Sequence, residues 1–279
     1  MKNYRVPTLT IAGSDSSGGA GIQADLKIFS AIGTYGMSVI TAITAQNTEG
    51  VFDVEELSSE IIKSQIKAVC EDIPPKAIKI GMVSSPKIIK DIVESLEIYP
   101  CEYVVVDPVM ISKSGYSLLR PESKENLIKY LIPKAYIVTP NVPEAEEISS
   151  IKIETVEDMK KAGNIILNMG PKYVLMKGGH LEGDCVDVLI GKDMFEVFKG
   201  ERINRKNTHG TGCTISSAIT SHLALGYDIK ESIRLSKEYI TEAIKYSFDI
   251  GHGVGPVHHF YKPESIRPHK IQTQRFSFC

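Results

Sequence analysis

Tyr103-Val104-Val105-Val106-Asp107 is a short apolar run that lacks the period-two alternation of a strand with one wet face. Such a run suits a strand covered on both sides, as in a parallel sheet, and Asp107 ends it with a carboxylate. Similar β-rich runs recur at residues 8–12, 39–45, 77–81, 136–139 and 173–177. Between them lie amphipathic stretches expected to be helices, at 20–32, 59–71, 86–96, 121–131 and 156–169. In the second of these, Ile62, Ile66 and Val69 form an inward stripe beside Lys63, Gln65 and Lys67. The strand-then-helix order predicts an α/β fold: a doubly wound, mostly parallel central sheet flanked by helices, with right-handed crossovers. After Gly178 the pattern changes. Residues 186–190 and 194–198, around Gly191-Lys192-Asp193, predict a small antiparallel hairpin at the sheet edge. Two long helices are then expected at 213–225 and 229–248, split by Gly226-Tyr227-Asp228.

Composition narrows the classes of function. The 279 residues are 42% apolar and 24% charged, ordinary for a soluble globular protein with a sizeable core. Lys+Arg total 32 against 34 Asp+Glu, a net charge of −2 with no basic block, which argues against a nucleic-acid or membrane-surface binder. No apolar run approaches the roughly 18 residues of a membrane span, and the stretch 8–12 is too short for a signal peptide. The five cysteines are odd in number, widely spaced and without a C-x-x-C pair, which points to a reducing cytoplasm rather than a disulfide framework or zinc site. There is no tryptophan, so recognition of any aromatic ligand falls to other side chains. No linker or repeat interrupts the chain. We expect one domain over residues 1–261 and an irregular tail over 262–279.

Three turns carry the chemistry. The first strand runs into Gly13-Ser14-Asp15-Ser16-Ser17-Gly18-Gly19-Ala20-Gly21 and then a helix. Such a turn either offers backbone N–H groups to an anion or simply lets helix and sheet approach closely. It is not a Walker A loop, since Gly18 is followed by Gly19 and Ala20, and no register gives G-x-G-x-x-G, which disfavours a Rossmann dehydrogenase. The second turn, Asn207-Thr208-His209-Gly210-Thr211-Gly212-Cys213, opens a long helix with small residues. The orphan N–H groups and helix dipole there suit a phosphoryl group in flight. Cys213 stands where a thiol pKa is commonly lowered, although a structural cysteine beside a glycine turn gives the same pattern. The third, Thr139-Pro140-Asn141-Val142-Pro143-Glu144, reads either as a capping box or, with Asp107, as ligands for Mg²⁺ carrying nucleotide phosphates. Ligands of open α/β sheets sit at the carboxyl ends of strands, and Gly13, Asn47, Gly81, Asp107, Thr139 and Lys177-Gly178-Gly179 all fall at or near such ends.

Residues 12–27, from Ala12-Gly13-Ser14-Asp15 to Ala24-Asp25-Leu26-Lys27, closely resemble the N-terminal signature of hydroxymethylpyrimidine/phosphomethylpyrimidine kinases, within the ribokinase-like superfamily. So do Thr44-Ala45-Gln46-Asn47-Thr48, Lys79-Ile80-Gly81-Met82, Asp107-Pro108-Val109-Met110, Leu175-Met176-Lys177-Gly178-Gly179-His180, Asn207 to Cys213, and Gly251-His252-Gly253 with Gly255-Pro256-Val257-His258-His259-Phe260. The resemblance runs in order over residues 8–260 and stops before the tail. It implies an ATP- and Mg²⁺-dependent kinase that phosphorylates 4-amino-5-hydroxymethyl-2-methylpyrimidine and then its monophosphate, for thiamine biosynthesis, and a homodimer.

By the same resemblance, Gln46 would read the aminopyrimidine edge, an amide pair matching an amino group beside a ring nitrogen. Met82 and Val109 would wall the ring, with Gly13 and Asp25 reaching the same pocket. Lys177, Asn141, Thr208 and His209 would face ATP, Asp107 and Glu144 would organise Mg²⁺, and Gly210, Thr211, Gly212 and Cys213 would hold the transferring group. Much of the superfamily has an aspartate base where this chain has Cys213, so a partly ionised thiol is expected to take the proton. Lys237, on the last long helix, reads either as approaching the nucleotide or, preferred, as part of a solvated helix face, and His252, His258 and His259 as turn packing, lacking the i, i+4 spacing of a helical metal pair. A pyridoxal kinase is the nearest alternative, and a non-catalytic pyrimidine-binding regulator a more distant one.

Overall fold

The run that opens the sequence reading lies at the centre of the sheet. In the computed structural model, which describes residues 5–110, 121–179 and 185–261, β5 (Tyr103–Val106) is the middle of nine strands. The others are β1 (Pro7–Asp15), β2 (Tyr35–Gln46), β3 (Val51–Glu56), β4 (Ala77–Ile80), β6 (Ile137–Val138), β7 (Tyr173–Lys177), β8 (Cys185–Gly191) and β9 (Met194–Gly200). Their spatial order is β3-β2-β1-β4-β5-β6-β7-β8-β9. Strands β2 to β7 in that order run parallel, and β3, β8 and β9 antiparallel. The tail expected over 262–279 and the motif's His180 lie outside the described residues.

Alternate residues of each central strand enter two different cores. Val104 and Val106 join Leu9, Ile11, Val138, Val174 and Met176 on one face, and Val105 joins Ile137, Leu175 and Leu189 on the other. With both faces dry, each position is worth about 1.5–3 kcal/mol of burial, so selection for apolar residues acts at every position and alternation disappears. Helices α2 (Ser59–Asp72), α3 (Pro86–Ile98), α5 (Val142–Ser149) and α6 (Val156–Leu167) serve the first face, and the short α4 (Pro121–Asn126) packs on α3. Helices α7 (Thr211–Ala224) and α8 (Ile229–Lys245) cover the second, with α1 (Gly21–Ile32) packed on α7 and β1.

The sequence missed β3, which makes a second antiparallel edge, and placed several ends differently. After Asn126 the expected helix widens into a π-turn at Leu127–Leu131, then a 3₁₀ turn at Ile132–Lys134, where Pro133 has no N–H to continue an α-ladder. Helix α7 starts at Thr211, two residues earlier than expected, and α8 stops at Lys245.

Topology then fixes where a ligand fits. The chain steps from β1 outward to β2, then returns to place β4 on the opposite side of β1. Connections leaving the two strands therefore diverge above their carboxyl ends, opening a cleft between Gly13 and Gly81-Met82. Leu175→Ala, in the fully buried second core, is expected to lower unfolding free energy by about 2–5 kcal/mol, measured by denaturant titration, without relocating this cleft.

Candidate active site

The glycine turns after β1 and before α7 meet above the sheet, pinned by Asp15. Its Oδ1 accepts from the Ser17 N–H at 2.9 Å and the Ser17 hydroxyl at 2.7 Å. Its Oδ2 accepts from the N–H groups of Gly19 at 3.1 Å and Ala20 at 2.8 Å, and meets His209 Nε2 at 2.9 Å. Burial opposes ionisation of Asp15, but the bonds from His209, Ser17 and Ala20 prevail and hold the carboxyl at about 2. Where the turns touch, only glycine fits: a Cβ on Gly210, at φ +81°, would stand 1.9 Å from the Gly19 carbonyl oxygen. A segment from late in the chain braces the second turn and the loop after β2. The His209 N–H donates to Gly255 O at 3.0 Å, and the Val254 N–H to Thr48 O at 2.9 Å.

Gly210 caps α7 without a side chain, and the N–H groups of Gly212 and Cys213 find no carbonyl acceptor among the described residues. The start of α7 is thus an anion site facing the cleft. Beside it, Lys177 Nζ donates to Asp107 Oδ1 at 2.8 Å, while Thr139 donates to Oδ1 at 3.0 Å and Ser216 to Oδ2 at 3.3 Å. Burial works against the Asp107 charge, but Lys177 and Lys79 keep its pKa below the usual range. Glu144 forms a capping box with Asn141, accepting the Asn141 N–H at 2.8 Å. Burial pushes Glu144 up to about 7; Lys177 pulls it down and Asp107 adds to the rise.

Except for Asp25, every residue expected at the site lines one cleft of about 830 Å³. Gly13, Gln46, Met82 and Val109 line it together with Lys177, Asn141, Thr208 and Gly210–Cys213. A bulge in β1 at Ala12/Ser14 turns Gly13 against Met82, whose sulfur would lie 3.1 Å from an added Cβ.

Three expectations need correction. Asp25 is not in the pocket: it is fully buried on α1, accepting from Thr10 and Ser217 at 2.6 Å each and from Lys79 at 2.9 Å. His209 does line the cleft, held against Asp15 and 3.4 Å from the Gln46 amide. Cys213 is not ionised at rest. Burial pushes its thiol up to about 11, Asp25 and Asp107 reinforcing and Lys79 and the Gly21 N–H opposing. Lys237 is buried rather than solvated, paired with Asp187 and lining the cleft. The sequence reading gave no role to Asp15 or Lys79. Asp15 had a signal, a carboxylate just ahead of glycine N–H groups, and so did Lys79, a charge inside the apolar run Ala-Ile-Lys-Ile.

A doubly wound sheet with a glycine-capped helix, open N–H groups and a lysine–carboxylate pair in its switch-point cleft is the ribokinase-like arrangement of a phosphotransferase. The family model described as phosphomethylpyrimidine kinase matches residues 15–258, and the chain belongs to that family. It is 46% identical over 261 residues to the hydroxymethylpyrimidine/phosphomethylpyrimidine kinase of Bacillus subtilis (strain 168), covering 92% of this chain and 96% of the relative. The solved phosphomethylpyrimidine kinase of Clostridium difficile 630 is similar at 70% identity and a TM-score of 0.78, over 86% of this chain and 100% of that one. A Staphylococcus aureus pyridoxal kinase, solved in complex with AMP-PCP and pyridoxal, is similar at 38% identity and a TM-score of 0.85, over 94% and 96%. No helix among the described residues is long and apolar enough to cross a membrane.

The Asp15 carboxyl, at about 2 in the folded chain against an ordinary 3.8, stabilises the fold fully above its ordinary value and loses that effect as pH falls through 2. Asp15→Asn should therefore lower stability at neutral pH and flatten the acid limb of a stability–pH curve measured by denaturant titration.

Proposed function

We propose that this kinase transfers the γ-phosphoryl group of ATP to the hydroxymethyl oxygen of 4-amino-5-hydroxymethyl-2-methylpyrimidine, then phosphorylates the monophosphate to the diphosphate. The observation carrying this reading is that the Gln46 amide and the open N–H groups of Gly212 and Cys213 face one cleft, with Met82 and Val109 beside them. The amide suits an amino group next to a ring nitrogen, and the anion site suits the phosphoryl group. Apolar walls between them grip a planar ring without tryptophan.

Lys177 neutralises nucleotide phosphate, held by Asp107, while Asn141 and Thr208 line the same stretch. The donor set also fits Mg²⁺. Asp107 and Glu144 are two buried carboxylates, and no group of three His, Cys, Asp or Glu among the described residues is arranged to hold an ion alone. That suits an ion whose remaining ligands are phosphate oxygens and water, as is usual for Mg²⁺. When bound, it would offset charge on the phosphates. The thiolate form of Cys213, its own proton first lost to water, takes the substrate hydroxyl proton as the new bond forms, and α7 stabilises the charge on the phosphoryl oxygens. We also read residues 1–261 as one kinase domain, acting in the cytoplasm as a homodimer. The exposed Ile43 and Phe52 on the β2–β3 edge support the dimer.

Pyridoxal is the second candidate substrate, favoured by the likeness to the S. aureus enzyme. Product analysis with ATP should give mono- and then diphosphate from the pyrimidine alcohol, at higher kcat/KM than pyridoxal phosphate from pyridoxal. The reverse order would assign the protein to vitamin B6 salvage. Cys213→Ala is expected to lower kcat by about 100-fold or more with both KM values nearly unchanged. Because the thiol sits near 11, wild-type kcat should keep rising from pH 7 to 10 instead of levelling near neutrality.

A further inference from the structure

We propose that Lys79 is the counter-charge of the Cys213 sulfur, a positioning residue that brings the thiolate within reach during phosphoryl transfer. The proposal rests on the reading of Cys213 as proton acceptor. Lys79 is fully buried yet borders the cleft floor. Its ammonium gives hydrogen bonds to both oxygens of Asp25, at 2.9 and 3.1 Å, and the described residues offer no acceptor for its remaining N–H. Gly81 leaves room for it, since a Cβ there would lie 2.6 Å from Nζ. Asp25 in turn accepts from Ser217, which follows Cys213 by four residues on the same face of α7. The ion pair thus lies under the helix face that carries the sulfur.

The sulfur sits in the first turn of α7, and Lys79 and the Gly21 N–H both favour its ionised form. The charged groups around it are Lys79 from β4, Asp25 from α1, Asp107 beyond β5 and Lys177 at the end of β7. A buried ion pair adds little to stability over an apolar pair of the same size. Its placement here gives a function to that expense. At rest burial keeps the thiol protonated. Its proton leaves to water through the open cleft, and Lys79 stabilises the resulting thiolate. As the substrate oxygen bonds to the γ-phosphorus, its proton passes to sulfur. The bond from that phosphorus to the bridging oxygen breaks, and the electron pair leaves with ADP.

The test is alkylation of Cys213 by iodoacetamide between pH 7 and 11, followed by peptide mass spectrometry in the full chain, with Cys185 as internal control. Lys79→Met should slow Cys213 alkylation about tenfold or more at fixed pH, leave Cys185 unchanged, and lower kcat while KM for ATP holds. The double variant Lys79→Met/Asp25→Asn removes both charges at nearly constant volume and remains informative if the single variant fails to fold. It should show a smaller slowing in the same direction. A folded double variant whose Cys213 alkylation profile coincides with wild type overturns the proposal, whatever its turnover. If Cys213→Ala retains full turnover while the alkylation shift persists, the base reading fails and the counter-charge stands.

Discussion

One carboxylate joins the four elements that frame the cleft. Asp25, carried by α1, accepts from Thr10 of β1, Lys79 of β4 and Ser217 of α7. Removing one partner of such a buried pair costs about 3–5 kcal/mol, because the other charge is then stranded without water. The pair therefore fixes the distance between the two strands at the switch point and the helix above them. It also explains why α7 buries serines and threonines, Ser216, Ser217, Thr220 and Ser221, where a helix against a sheet ordinarily buries leucine. Thr8, Thr34 and Ser221 continue the polar seam, linked by contacts of 3.0 and 3.3 Å.

This seam and the apolar cores divide the labour. On the far side of the sheet and beneath α8, packing is hydrocarbon and sets stability. Between β1, β4 and α7 it is directional, and hydrogen bonds with fixed lengths hold the first turn of α7 where charge must be stabilised. Apolar contacts tolerate small slips. A network of buried donors and acceptors does not, because each unmade bond carries its full desolvation penalty.

The central strands were legible because doubly buried strands must be apolar at every position, and Val104, Val105 and Val106 obey that locally. The hairpin of β8 and β9 announced itself through its turn. β3 was not legible, since Val51-Phe52-Asp53-Val54-Glu55-Glu56 is a mostly wet edge strand with acidic residues and little burial to enforce a pattern. The cleft residues were legible as motifs at strand ends, but the charges behind them were not. Asp25 looks like any carboxylate early in a helix, and its partner Lys79 stands 54 residues away. The Cys213 thiol illustrates the same limit. Sequence places it at a helix start, which lowers a thiol pKa, whereas what raises it is burial, helped by Asp25 of α1 and Asp107 beyond β5.

One short segment late in the chain braces two loops that are far from it in sequence. Gly255 O receives the His209 N–H, and the Val254 N–H is given to Thr48 O, so the turn ahead of α7 and the loop after β2 share a single support. Contacts of such high sequence separation form only after the long intervening loops have closed, and the entropy of that closure delays them. The sheet and its helices are complete without this segment, so the turn ahead of α7 is the last part of the cleft wall to be held in place.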